Sequence, residues 1–349
     1  MTDESISAKP HRAAVSRQLP WKTRLYTSLL TAVIDASCRS NGTVNRLLFS
    51  LFDVRSSASA KPARGVRTAD VTVDSSRNLW FRLFLPSSSS SGAQIPVFVF
   101  FHGGGFAFMS PASRAYDDYC RRVCHEVEVA VVSVNYRLSP ENRYPSQYED
   151  GLDVLRFLDG GGLATADPTA ADLDLSSCFL VGDSAGGNIV HHVARRWAAD
   201  AGQGGWKSLQ LAGMVLIQPY FGGEERTEAE VRLAGAPMVS VERTDWLWRA
   251  FLPEGADRDH EAVNVFGPRA TGELEAALPE AMLVVGGFDP LQDWQRRYYE
   301  GMTTRGKAVR LLEYPDAIHG FYAFPELKQS EALIEEMKAF VEAHRSPPN

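Results

Sequence analysis

The 349 residues are 44% hydrophobic and 23% charged, enough to bury a large core as one α/β domain with a modest lid or insertion. A net charge of −7 without an extended basic run argues against a nucleic-acid-binding face or a polybasic membrane anchor, and suits a small neutral or hydrophobic ligand. No apolar run reaches the length of a membrane span and residues 1–18 hold no hydrophobic signal core, so the default address is the cytosol, with nuclear access open.

Residues 1–18 are polar and read as a disordered tail. After Pro20, Trp21, Leu25, Leu29, Val33 and Ala36 recur every three or four residues. Val44, Leu47, Leu48, Leu51 and Phe52 do so again beyond Asn41-Gly42. The spacing predicts two amphipathic helices whose apolar faces bury on the core or on a partner. Residues 19–65 are therefore assigned to an N-terminal helical lid over the active-site mouth and its connector. A protein partner acting through this lid is left open by the sequence.

Alternation at residues 71–73 and 79–85 predicts an edge hairpin, and the serine run at 87–91 with Gly92 a flexible turn. From Pro96 the pattern changes to continuous apolar runs, at 97–101, 129–134, 178–181, 214–217 and 282–285, separated by segments of helical periodicity. Strands apolar on both faces predict a mostly parallel sheet covered on both sides, an α/β core over residues 66–349. In such sheets ligands bind at the carboxyl ends of strands, and each chemically suggestive motif falls there.

The first motif is His102-Gly103-Gly104-Gly105-Phe106, directly after the run ending at Phe101. Three glycines let neighbouring amides converge on one oxygen, which marks Gly103 and Gly104 as oxyanion donors, with His102 bracing the loop. A phosphate-binding reading lacks the Lys-Ser/Thr continuation. The four cysteines show no metal-site spacing; Cys120 and Cys124 fall on one helix face, where a disulfide would be strained, and read rather as buried free thiols.

The second is Gly182-Asp183-Ser184-Ala185-Gly186. The pentapeptide alone is weak, since a helix N-cap serine after a glycine turn looks the same. Here a short apolar strand precedes it, and Ile189, Val190, Val193, Ala194 and Trp197 follow at helical spacing. The context predicts a nucleophile elbow that thrusts the Ser184 hydroxyl outward and aims the Ala185 amide at a developing oxyanion.

Between about 220 and 268 the periodicity breaks down, and an insertion carrying Trp246, Trp248 and Phe251 is expected to cover the site. After the run at 282–285 come Asp289-Pro290-Leu291-Gln292-Asp293. Asp289 is expected to orient a catalytic base and Asp293 to cap the next helix. After a strand predicted from Val309 comes His319-Gly320-Phe321, whose imidazole can take the Ser184 proton and return it to a leaving group. Phe106, Phe108, Phe288, Phe321 and Tyr322 flank these motifs and are the expected pocket walls. A helix from about 326 to 344 closes the chain.

The order Ser184, Asp289, His319 is that of α/β-hydrolases. With His102-Gly103-Gly104-Gly105, Asn41-Gly42-Thr43-Val44-Asn45-Arg46 and Asn135-Tyr136-Arg137-Leu138-Ser139-Pro140-Glu141, the chain from about residue 20 onward resembles the plant carboxylesterases of the hormone-sensitive-lipase branch. The resemblance implies an eight-stranded sheet and a mobile helical lid; the flanking aromatics suggest hydrolysis of a small apolar or aromatic, hormone-like carboxylic ester, and serine chemistry needs no metal or organic cofactor. Gibberellin receptors are similar over the same length but have lost the catalytic histidine and altered the glycine loop. Dehydratases of the same family carry a differently substituted loop. His319 and the intact glycine triplet favour the esterase.

Overall fold

The computed structural model describes residues 19–87, 94–167, 170, 173–270 and 272–345; the predicted tail and most of the serine run lie outside them. In chain order the elements are α1 (Trp21–Ser37), α2 (Arg46–Ser50), β1 (Val66–Asp74), β2 (Leu79–Pro86), β3 (Ile95–Phe101), α3 (Arg114–Val127), β4 (Ala130–Asn135), α4 (Ser146–Asp159) and α5 (Gly162–Ala166). Then follow β5 (Leu173–Asp183), α6 (Ala185–Ala201), β6 (Leu211–Ile217), α7 (Glu228–Arg232), α8 (Val241–Phe251), β7 (Ala281–Phe288), α9 (Gln292–Thr304), β8 (Val309–Ile318) and α10 (Lys328–His344).

The strands form one eight-stranded sheet in the order β1-β2-β4-β3-β5-β6-β7-β8. β1 and β2 pair antiparallel at one edge, as the alternating segments predict, and every pair from β4–β3 onward is parallel. Val97 through Phe101 are all buried although successive side chains point to opposite faces, so both faces of the sheet are covered. Helices α3 and α10 pack on each other, as do α4 and α6. All four cysteines are free thiols. No helix among the described residues is long and apolar enough to cross a membrane.

The N-terminal helix departs from expectation. Its predicted inner stripe is the outer one: Trp21, Leu25 and Leu29 are 65%, 52% and 48% exposed, while Thr23, Thr27, Leu30, Ile34 and Ser37 are buried. A 3.6-residue period fits either stripe, and polar contacts choose between them. Thr23 Oγ1 donates to Glu326 at 2.5 Å, and Arg243 Nε and Nη2 donate to Asp35 at 2.8 and 2.9 Å. The second predicted helix is a single short turn capped by Asn45, burying Phe49 and leaving Leu47 and Leu51 exposed. Arg46 ties it to the core by donating to both Glu141 carboxylate oxygens and to the Ser139 carbonyl.

Candidate active site

The carboxyl ends of β3, β5, β7 and β8 carry the residues at issue. Between β5 and α6, Ser184 adopts φ 51° and ψ −118°, a conformation that costs a non-glycine residue strain. The turn is tight enough that a Cβ at Gly182 would overlap the Gly186 backbone, and one at Gly186 would overlap the Phe101 carbonyl. Only glycine permits that approach. As first residue of α6, Ala185 has an amide with no intrahelical acceptor.

His319, buried at the end of β8, has its Nδ1 2.8 Å from Asp289 Oδ2. Asp289 follows β7 and is completely buried. Its Oδ2 also accepts from Gln218 Nε2 at 3.1 Å and Gln295 Nε2 at 2.9 Å, and its Oδ1 accepts the Leu291 amide at 3.0 Å. Burial pulls the imidazole pKa down, but the charge and hydrogen bond of Asp289, with a smaller pull from Asp183, leave it raised above its ordinary value. Gln218, whose Oε1 accepts the Gly320 amide at 2.8 Å, thus braces the loops of Asp289 and His319 together. Asp293 accepts the Ala229 amide at 2.8 Å, outside this cluster.

Ser184 and His319 line one cavity of about 100 Å³ together with Gly104, Gly105, Tyr116, Asp183 and Tyr322. Gly103 is absent from that wall. Its amide donates to Tyr116 Oη at 2.8 Å and to Asp183 Oδ1 at 3.0 Å, so its expected oxyanion role is revised: the donor is already engaged. The amides of Gly104 and Gly105 donate to no protein acceptor among the described residues. His102 braces the loop. It is fully buried, stacks on Tyr136 with centroids 4.3 Å apart, and burial lowers its pKa to about 4.

Of the expected pocket walls, Phe108 and Tyr322 line the cavity. Phe106 instead stacks on Phe251 at 3.9 Å, Phe321 packs against Tyr314 at 5.1 Å, and Phe288 lines a separate cleft beside Pro20 and Lys328. Positions in a motif-flanking loop alternate between core and cavity, and the aromatic count alone cannot tell which is which. The walls that sequence reasoning missed come from α1 (Leu30, Ile34) and from the insertion (Met238, Val239, Arg243, Leu247). Trp248 is packing, stacked on Tyr220 at 3.9 Å, and Trp246 Nε1 donates to the Arg39 carbonyl. The one signal for Asp183 and Tyr116 would have been a buried carboxylate beside Ser184, which must find donors.

A family model described as the alpha/beta hydrolase fold matches residues 98–323, and one described as the carboxylesterase family matches residues 54–140. A gibberellin receptor of Arabidopsis thaliana is 41% identical over 337 residues, covering 93% of this chain and 95% of the receptor. Carboxylesterase 20 of the same plant is 33% identical over 279 residues, covering 77% and 83%. Among solved structures, an alpha/beta hydrolase enzyme from the metagenome of Lake Arreo, Spain, matches with a TM-score of 0.72 at 25% identity, covering 94% of this chain and 99% of that one.

Proposed function

The chain belongs to the α/β-hydrolase family of the plant carboxylesterases and gibberellin receptors, and on that premise we propose that it is a serine carboxylesterase acting through an acyl-enzyme. One observation carries the reading: a buried Asp289–His319 pair at 2.8 Å whose imidazole shares a cavity with Ser184. With Nδ1 engaged by Asp289, Nε2 is the ring nitrogen left to take a proton. Ser184 Oγ attacks the ester carbonyl and passes its proton to His319; the oxyanion collapses, and the leaving alkoxide takes that proton back. Water then repeats the sequence on the acyl-enzyme. Asp289 holds the tautomer and stabilises the imidazolium. Gly104 and Ala185, with Gly105 beside them, are the oxyanion donors in this reading; losing one donor typically costs about 3 kcal/mol of the barrier.

The test is hydrolysis of p-nitrophenyl acetate by wild type, Ser184→Ala and His319→Ala, with fluorophosphonate labelling as a parallel readout. Each variant is expected to lose on the order of 10³-fold or more in kcat, and Ser184→Ala to lose all labelling. Equal rates in wild type and Ser184→Ala would sink the proposal. The receptor relationship favours a second reading, a small-molecule receptor using the same pocket. Saturable binding of a gibberellin with no turnover of any ester would support it.

A further inference from the structure

The cavity that Ser184 and His319 share holds about 100 Å³, room for a few heavy atoms, since a water molecule's share of liquid is about 30 Å³. Beside it, between α1, α3 and the segment after His319, lies a space of about 700 Å³, within the roughly 300–1,000 Å³ of small-molecule pockets. Neither Ser184 nor His319 lines this larger space. Leu30, Met109, Tyr116, Met238, Gly320 and Tyr322 line both, so they form the wall between the catalytic groups and the roomier side. An ester larger than the cavity reaches Ser184 only if part of that wall gives way.

The six members of the wall differ in what holds them. Tyr116 Oη, at 2.8 Å, and Tyr322 Oη both donate to the buried Asp183 carboxylate. Gly320 has no side chain to move, and its amide donates to Gln218 Oε1 at 2.8 Å. Leu30 is seated on the inner face of α1, 2% exposed. Met109 and Met238 remain, with long, unbranched side chains that change course at little cost. Both stand on strained backbone, with φ 72° at each, in the left-handed region that residues with side chains rarely adopt. Strain of this kind collects at ligand clamps and switch segments. Here it lays one thioether against each catalytic loop: Met109 Cγ lies 3.3 Å from where a Cβ on Gly104 would stand, and Met238 Cε lies 3.8 Å from that of Gly320, beside His319. The backbone under Met238 is pinned, because its carbonyl accepts from Arg243 Nη1 at 2.7 Å and Arg243 also binds Asp35 of α1. What can move there is the side chain.

We infer that Met109 and Met238 determine the size of substrate admitted: they are a thioether partition that passes small esters as it stands and swings aside for bulky ones, whose excess then lies in the large space. The inference rests on the serine-esterase reading and holds whichever half of the ester is bulky. The large space sets the chemistry of that excess. Tyr26 meets Phe52 at 5.8 Å and Phe324 at 5.9 Å to form an aromatic side. Most charges on its walls already have partners: Asp118 lies 3.8 Å from Arg64 and 3.6 Å from Arg114, Glu126 lies 3.1 Å from Arg122, Asp53 lies 2.8 Å from Arg55, and Glu326 accepts from Thr23. Such walls take an apolar, uncharged group.

The test compares methyl acetate, small enough for the cavity, with 2-naphthylmethyl acetate and methyl 2-naphthylacetate, isomers that carry the same bulk on opposite sides of the ester. Met109→Ala and, as an independent variant, Met238→Ala each open the wall; Met238 is half-buried, so its truncation leaves the core intact. In each, kcat/KM for one or both naphthyl esters is expected to rise by about fivefold or more relative to that for methyl acetate. A merely structural role would change all three esters in parallel. Relative rates within about twofold of wild type in both folded variants, or lowered ones, overturn the inference while leaving esterase activity standing. Failure of wild type to exceed Ser184→Ala on p-nitrophenyl acetate overturns the esterase reading and the inference with it.

Discussion

Asp183 Oδ1 accepts the Gly103 amide at 3.0 Å, joining the residue before the nucleophile to the glycine loop. The same carboxylate accepts from Tyr116 Oη at 2.8 Å and from Tyr322 Oη, three residues beyond His319. One buried side chain therefore touches the Ser184 turn, the glycine loop and the His319 loop. Burial raises its pKa to about 6, against the hydrogen bonds from Tyr322 and Tyr116, the charge of His319 and the Gly103 amide, all of which lower it.

The pH dependence of stability follows from that shift. An acid whose folded pKa lies above its unfolded value of 3.8 binds its proton more tightly when folded, so its contribution is fully present below pH 3.8 and is lost as pH rises through about 6. A shift of about two units corresponds to about 3 kcal/mol. Urea unfolding of wild type and Asp183→Asn between pH 4 and 7 is expected to show the wild-type advantage shrinking by about that amount. A difference flat in pH would refute it. In Asp183→Asn, kcat is also expected to fall by roughly 10- to 100-fold, because Asn offers the two tyrosines a weaker acceptor and the loops loosen.

For the base the sign is opposite in its effect on rate. In the proposed mechanism His319 accepts a proton only when its Nε2 is unprotonated, and its pKa is held above the ordinary imidazole value of 6.5 mainly by Asp289 acting against burial. The acid limb of kcat/KM is therefore expected to have its midpoint above pH 6.5. Asp289→Asn is expected to move that midpoint down and to lower kcat by roughly three to four orders of magnitude. An unmoved limb would mean that another group controls it. The imidazolium's contribution to folding is present below pH 6.5 and lost as pH rises through the raised folded value.

Gly104 sits at φ +99°, and a Cβ there would overlap the Phe108 carbonyl. Gly104→Ala must shift the loop backbone, and with it the amide assigned to the oxyanion. We expect kcat to fall by roughly 10²- to 10³-fold with KM changed little, and fluorophosphonate labelling to slow in parallel. Unaltered kcat would remove this amide from the oxyanion hole.

What the sequence made legible were features with local chemistry. The sheet shows because buried parallel strands are apolar at every position; Ser184 and Asp289 stand out because each follows such a run, and His319 because it follows a predicted strand of mixed polarity at the sheet edge. Gly103 and Gly105 could not be told apart, since which amide is free depends on Asp183, eighty residues on. Gln218 follows a strand without any motif, and its two bonds to Asp289 and Gly320 exist only in three dimensions. The face of α1 failed for a related reason: apolar periodicity gives two candidate stripes, and Glu326 and Arg243 select the one that pairs with Thr23 and Asp35.

That last pair makes the lid testable. Arg243 is nearly buried beside the catalytic cavity, donates to both Asp35 oxygens and to the Met238 carbonyl at 2.7 Å, and so joins α1 to the start of α8. Asp35 is half-exposed, so screening discounts the ion pair, and the larger cost of its removal is leaving the guanidinium without its carboxylate. Asp35→Ala is expected to weaken the seating of α1 by about 1–2 kcal/mol, seen as faster amide exchange confined to residues 21–37. Because α1 walls both spaces of the site, KM is expected to rise by roughly three- to tenfold while kcat, set by groups that α1 does not carry, stays within about twofold. Faster exchange spread through the sheet strands would instead mean that Asp35 supports the core rather than the lid.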